Sequence, residues 1–266
     1  MATGCFQWGP PERLVESKSI KEALEKPEEV QFLNLHNSGL IEVPSEVAQL
    51  RGLIKLGLRK NSITQVSPLV ADLKALEWID LGQNKILELG LELGQLDKLE
   101  TIYLSDNTLR VFPSVLCTMK QVTYVNLDRN QIESLPDNIS GMESLKWLRL
   151  NANKLKALPD TVCDLANLQR LYVEKNELET LPGRIGKLKS LTDLVAGNNK
   201  IKALPETITG INSLKRVNLE NNQLAELPAD LSGWRGLDWM QLRGNQFSDD
   251  EKKRIKEALP ECFIVF

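Results

Sequence analysis

Apolar side chains recur along this chain with a period of 23 residues, and the period does not slip. Ten units open at Val30, Leu53, Leu76, Leu99, Val122, Leu145, Leu168, Leu191, Leu214 and Leu237. In the unit from Leu145 to Asn167, apolar residues hold the first, fourth, sixth, eleventh, fourteenth, eighteenth and twenty-first places. The alternation at the fourth and sixth places predicts a short strand. Equal spacing then sets these strands side by side in one parallel sheet. A unit this short cannot bury its own apolar face, so it must stack on its neighbours.

The ninth place is the most uniform. It reads Asn61, Asn84, Asn107, Asn130, Asn153, Asn176, Asn199, Asn222 and Asn245, with Ser38 in the first unit. A chain that turns inside a core leaves backbone N–H and C=O groups without water. An amide both donates and accepts, so stacked Asn side chains are expected to close each turn and bond the next coil. The fifteenth place is Pro in seven of nine full units: Pro44, Pro113, Pro136, Pro159, Pro182, Pro205 and Pro228. Proline fixes φ and suits a turn or the start of a short helix. Ser67 and Gly90 are the exceptions, so those two turns are expected to differ. Val162, Leu165, Ile185, Leu188 and Trp234 are expected in the core on this side.

The spacing LxxLxLxxNxLxxLPxxIxxLxxL resembles the 23-residue type of leucine-rich repeat, above all the Ras-suppressor and Ras-group repeats and similar bacterial ones. The match spans about residues 30–247. The resemblance implies an α/β solenoid: a curved horseshoe with the parallel sheet on its concave face and short helices or turns on its convex face. It also implies an interaction module without catalysis, with a small GTPase or signalling enzyme as one possible partner.

Three segments follow: 1–29 as a flexible start plus N-terminal capping helix, 30–247 as ten repeats, and 248–266 as the C-terminal cap. Ser19-Ile-Lys-Glu22 and Ser248-Asp-Asp-Glu251 both read as helix-opening capping boxes. Cys262 to Phe266 reads as a last strand.

Seven of the 14 aromatic residues, including all three Tyr, fall at the third, fifth, seventh and eighth places. These 40 positions point onto the concave face and would hold about two aromatics by chance, counting from the composition. Exposed Trp and Tyr beside Arg and Asp is the composition of a protein-binding hot spot. The densest run comprises Trp78, Asp80, Tyr103, Tyr124, Asp128, Trp147, Arg149, Arg170 and Tyr172, the candidate partner-binding residues. The competing reading is that the rings stack on one another merely to cover the sheet. The same columns hold nine Lys/Arg against six Asp/Glu, an excess of three positive charges on a chain of net charge −3. Lys55, Arg59 and Lys60 group near the start of the face, which suits a partner with an acidic rim. A nucleic acid is not expected with so small a surplus.

Chemistry is sparse. No catalytic residue, cofactor or metal site is expected: there is one His, His36, and no CxxC, phosphate loop or paired HxxxH. Cys5, Cys117, Cys163 and Cys262 are too scattered for a disulfide framework. Cys117 and Cys163 sit among convex apolar places, as buried small hydrophobes. No apolar run approaches the ~20 residues of a membrane span. The expectation is a cytoplasmic monomeric protein, a scaffold or signalling regulator, with self-association through the concave face left open. The alternative rests on Ala2-Thr3-Gly4-Cys5, which resembles the end of a bacterial lipoprotein signal. On that reading the protein is secreted or surface-anchored and binds host or envelope ligands.

Overall fold

A computed structural model describes residues 14–266; Cys5 and the start of the first segment lie outside the described residues. Twelve strands form one parallel sheet, and their order in the sheet is their order in the chain. They are β1 (Glu16–Ser17), β2 (Phe32–Asn34), β3 (Lys55–Gly57), β4 (Trp78–Asp80), β5 (Thr101–Tyr103) and β6 (Tyr124–Asn126), followed by β7 (Trp147–Arg149), β8 (Arg170–Tyr172), β9 (Asp193–Val195), β10 (Arg216–Asn218), β11 (Trp239–Gln241) and β12 (Phe263–Val265). From β2 to β11 each residue pairs with the one 23 positions on, as Tyr124 does with Trp147. The sequence period is therefore the register of the sheet, and the horseshoe carries this sheet on its concave wall.

The core follows the apolar places. Leu145, Leu148, Leu150 and Leu155 are fully buried, and Leu158, Val162 and Leu165 nearly so. Each such side chain contributes roughly 1.5–3 kcal/mol relative to an exposed one. Trp234 is also buried, and its Nε1–H donates to the Ile208 carbonyl at 3.2 Å.

The Asn column acts on the backbone, with one difference from expectation: each Asn reaches back to the preceding coil. Asn107 Oδ1 accepts the Ile86 N–H at 2.9 Å. Its Nδ2 donates to the Leu81 carbonyl at 2.9 Å and to the Leu104 carbonyl of its own coil at 3.1 Å. Every carbonyl inside the ladder thus receives two amides: Leu104 from Asn107 and Asn130, Leu127 from Asn130 and Asn153. One place earlier the chain turns through left-handed backbone. Nine non-glycine residues from Asn37 to Asn221 have φ between 51° and 59°. Gly244 follows at 73°, where a Cβ would meet Asn221 Oδ1 at 2.2 Å.

On the convex side each full unit carries a short 3-10 helix, most of them preceded by the fifteenth-place proline, as Pro159 precedes Asp160–Asp164. The turns at Ser67 and Gly90 do not differ: they open five-residue 3-10 helices, Pro68–Asp72 and Leu91–Gln95. At the first, Ser67 Oγ accepts the Leu69 N–H. The turns that do differ follow Pro182 and Pro228, where only Ile185–Lys187 and Ser232–Trp234 are helical. Arg184 and Leu231 sit near φ −96° and ψ 9°, outside the 3-10 well, so the i→i+3 pattern starts later.

Both ends are closed as the capping boxes imply. Helix α1 (Ile20–Ala23) opens on Ser19, whose side chain accepts the Glu22 N–H. Helix α2 (Asp249–Ala258) opens on Ser248 in the same way, bonding Glu251 N–H. Glu251 then reaches back, accepting the Leu227 N–H at 2.9 Å and pairing with Arg254. The last strand is β12. Strand β1 was not foreseen; its two residues pair with Phe32 and Leu33.

Candidate functional site

The concave columns build a continuous row of rings. Strands 23 residues apart set third-place side chains one above the next, and Tyr103 at the fifth place joins them. Phe32 meets Trp78 edge-on, with ring centroids 6.2 Å apart. Trp78 then meets Tyr103 at 5.8 Å, Tyr103 meets Tyr124 at 5.0 Å, and Tyr124 meets Trp147 at 5.5 Å. The row ends in a cation: the Arg170 guanidinium lies 3.9 Å above the Trp147 ring. Beside it, Arg149 stands 5.2 Å over Tyr172. Tilted ring pairs at these separations are each worth roughly 0.5–1.5 kcal/mol beyond burial. The row is therefore held in place before any partner arrives.

Two candidates differ from the exposure expected of them. Tyr124 is 8% exposed and Asp128 only 1%. Tyr124 is flanked on both sides by rings and forms the floor of the row. Asp128 is closed over from the next strand: Arg149 Nε donates to it at 2.8 Å and the Asn151 N–H at 2.8 Å. Its charge is already used, so it is a clamp for Arg149 and not a group offered outward. Trp78, Asp80, Tyr103, Trp147, Arg149, Arg170 and Tyr172 are half-buried, with surface left on the concave side.

The electrostatics follow the same division. Arg170 pairs with Asp193 at 3.6 Å, and Arg129 pairs with Asp106. Desolvation raises the Asp80 carboxyl above its usual range, although its Oδ1 accepts the Gly82 N–H at 2.8 Å and Arg59 pulls it the other way. Burial likewise raises the phenols of Tyr103, Tyr124 and Tyr172, so all three stay neutral donors at any physiological pH. Phe32 and Asp193 belong to the site but stood outside the dense run of candidates; their third-place positions, in register with the others, were the available signal.

Away from this face, Cys117 and Cys163 are buried, and burial pushes both thiols up to about 11. Such thiols are poor nucleophiles. Cys117, Cys163 and Cys262 are all unpaired. Among the described residues no three His, Cys, Asp or Glu side chains gather in a way that would hold a metal ion. No helix among them is long and apolar enough to cross a membrane.

Comparison with known proteins places these features in a family. Two family models match, a leucine-rich repeat region over residues 113–200 and a leucine rich repeat over residues 74–132. A leucine-rich repeat protein of Leptospira interrogans is 34% identical, with a TM-score of 0.88 over 90% of this chain. This chain spans 61% of that protein's solved length. An internalin from Listeria monocytogenes superposes with a TM-score of 0.77 at 20% identity, covering 93% of this chain and 70% of its own. The ectodomain of a plant membrane receptor kinase from Arabidopsis thaliana, solved in complex with Casparian strip integrity factor 2, gives 0.74 at 24% identity, covering 90% of this chain and 29% of its own. At such identities these two show the shared fold alone. Among curated proteins none matches the sequence.

Proposed function

The chain is a leucine-rich repeat protein, and from that premise we propose that it is a non-enzymatic interaction module that grips a protein or peptide on its concave face. The observation that carries this reading is the unbroken row from Phe32 to Trp147, closed by Arg170. Covering a sheet needs only Val or Thr ladders. Five rings in contact, four of them with a polar edge, set beside Arg149 and Tyr172, are an expensive way to do it and an effective way to bind. Their fixed geometry removes much of the ordering cost that an interface otherwise incurs. The Arabidopsis relative, which holds a partner on the same fold, supports this reading. No catalytic role is assigned to any residue, and a cytoplasmic setting is part of the same proposal. There the module serves as a scaffold or regulator of another protein.

The test is capture of partners from the source cells by the wild-type chain and by Trp78→Ala and Trp147→Ala. A half-buried Trp at the centre of an interface is worth roughly 2–4 kcal/mol. Proteins held by wild type should therefore be lost from both variants while circular dichroism shows the fold intact. Equal capture by all three chains defeats the proposal.

A second reading is an exported bacterial binding protein; the Leptospira interrogans relative bears on the bacterial part of it alone. Fractionation of the source cells separates the two, since only the second puts the protein outside the cytoplasm.

A further inference from the structure

Building on that concave-face reading, we propose that the partner carries an acidic stretch of two or more Asp or Glu next to its apolar one, and that this stretch docks on Lys55, Arg59 and Lys60 at the β2–β3 end. Most cations of the concave columns are already spoken for, and Arg243, which is not, stands alone and exposed at the far end. Arg129, Arg149 and Arg170 pair with Asp106, Asp128 and Asp193. Arg149 and Arg170 also lie over rings. Lys55, Arg59 and Lys60 make no ion pair and no side-chain hydrogen bond among the described residues.

Their positions matter as much as their freedom. Lys55 and Arg59 are half-buried and Lys60 exposed. A cation that has lost part of its hydration and gained no counter-charge favours an incoming carboxylate more than a fully solvated one does. Lys55 stands in register between Phe32 and Trp78, so the cluster touches the start of the aromatic row. Of the acidic groups nearby, Asp106 is taken by Arg129, while Glu16 and Asp80 keep their charge and bond only neutral donors, Asn34 Nδ2 and the Gly82 N–H, so the three cations outnumber them by one. Arg59 influences the Asp80 carboxyl electrostatically without an ion pair. His36, exposed in the turn after β2 and in the same repeat column as Arg59, adds no negative charge.

Geometry sets the size of the partner segment. Four strand spacings separate Lys55 on β3 from Trp147 on β7, about 19 Å. An extended chain covers that in about six residues. The acidic stretch and the apolar anchors thus fit within one short linear segment laid across the strands.

The probe is a displayed library of random peptides of about twelve residues, twice the span just derived, panned on the full chain at roughly 0.1 M salt, where exposed charges still act over ~10 Å. Selected peptides should pair aromatic or aliphatic residues with an excess of Asp and Glu. Synthetic versions should bind Lys55→Gln/Arg59→Gln at least tenfold more weakly. Their binding to wild type should also weaken steeply with salt, and far less steeply for the variant. Thermal melts check that the variant folds. Binders that depend on Trp147 but carry no acidic excess, or that ignore the Lys55/Arg59 change, overturn the acidic-partner inference and leave the concave-face reading standing. Binders indifferent to Trp78 and Trp147, or no binders at all, overturn both. Tighter binding of oligo(dT) than of any acidic peptide overturns the inference in favour of a nucleic acid.

Discussion

Removal of Asn130 tests the backbone logic of the solenoid in numbers. In Asn130→Ala the Leu109 N–H loses its acceptor at 3.2 Å. The Leu104 and Leu127 carbonyls lose one amide each but keep the other, from Asn107 and Asn153. One orphaned buried N–H costs about 2 kcal/mol and two lost second bonds about 0.5 kcal/mol each, so the single change should cost about 3 kcal/mol. Asn153→Ala should cost the same, because it orphans only the Ile132 N–H. The double variant is different in kind. The Leu127 carbonyl is then stripped of both donors. The pair should exceed the sum of the singles by about 1–2 kcal/mol, the penalty of an unsatisfied buried acceptor. Asn84 and Asn199 share no carbonyl, so their changes should add. The assay is urea unfolding followed by far-ultraviolet circular dichroism, with amide exchange at Leu109 as the local readout. If the Asn130/Asn153 pair is as additive as the Asn84/Asn199 pair, shared acceptance of the carbonyls does not stabilise the fold, and the reasoning fails.

Three further outcomes follow from the geometry. Tyr124→Ala should lower stability by about 2–4 kcal/mol, since the ring is buried between Tyr103 and Trp147; a thermal melt matching wild type would show that the row is not packed. Ala152 holds a left-handed conformation with φ 54°, so Ala152→Gly should stabilise by up to about 1 kcal/mol, read as a rise in the urea midpoint. Asp80, whose folded pKa is raised by desolvation, binds its proton more tightly in the folded state, so its ionisation works against folding as pH rises from the ordinary aspartate value of 3.8 through the folded pKa. Asp80→Asn should accordingly be more stable than wild type at neutral pH and indistinguishable below the unfolded carboxyl range; melts across pH 3–8 (the span over which carboxylates titrate) that show a constant difference would contradict this.

Much of this was legible in the sequence because stacking makes a one-dimensional pattern into a spatial one. Every residue from β2 to β11 pairs 23 positions away, so a column in the repeat is a row on the sheet. That is why the Asn ladder, the buried Trp234 and the ring row from Trp78 to Trp147 all follow from counting. What columns do not show is the diagonal. Asp128 at a seventh place is buried because Arg149, at a fifth place 21 residues on, folds across to it. Arg59 and Asp80 occupy the same diagonal with the charges exchanged and form no ion pair. Side-chain length and direction decide between these outcomes, since Arg149 closes on a short Asp at the turn while Asp80 turns back to the Gly82 N–H. The backbone angle at Arg184 and Leu231 escaped for a similar reason: Pro at the fifteenth place fixes its own φ and leaves free the residues after it.

The division of labour between columns also explains why this face can carry recognition at all. The Asn amides and the Leu, Ile and Val places satisfy backbone and core in every coil, so the third, fifth and seventh places carry fewer structural duties, chiefly the local bonds that Asp80, Asn126, Asp128 and Asn218 accept from backbone N–H groups. A column with so few duties drifts toward small, polar and solvated side chains unless something holds it otherwise. Across β4 to β7 the third and fifth places instead hold four rings in mutual contact. On β9 and β10 the same places hold Asp193, Val195, Arg216 and Asn218, and no ring. A covering role would be needed equally along the whole sheet, because all twelve strands share one face. The rings concentrate over β4 to β7, with three unpaired cations, Lys55, Arg59 and Lys60, toward β3 and one, the exposed Arg243, at the far end, so the face is uneven along its length. The partner proposed above matches that unevenness, apolar in its middle and acidic toward β3.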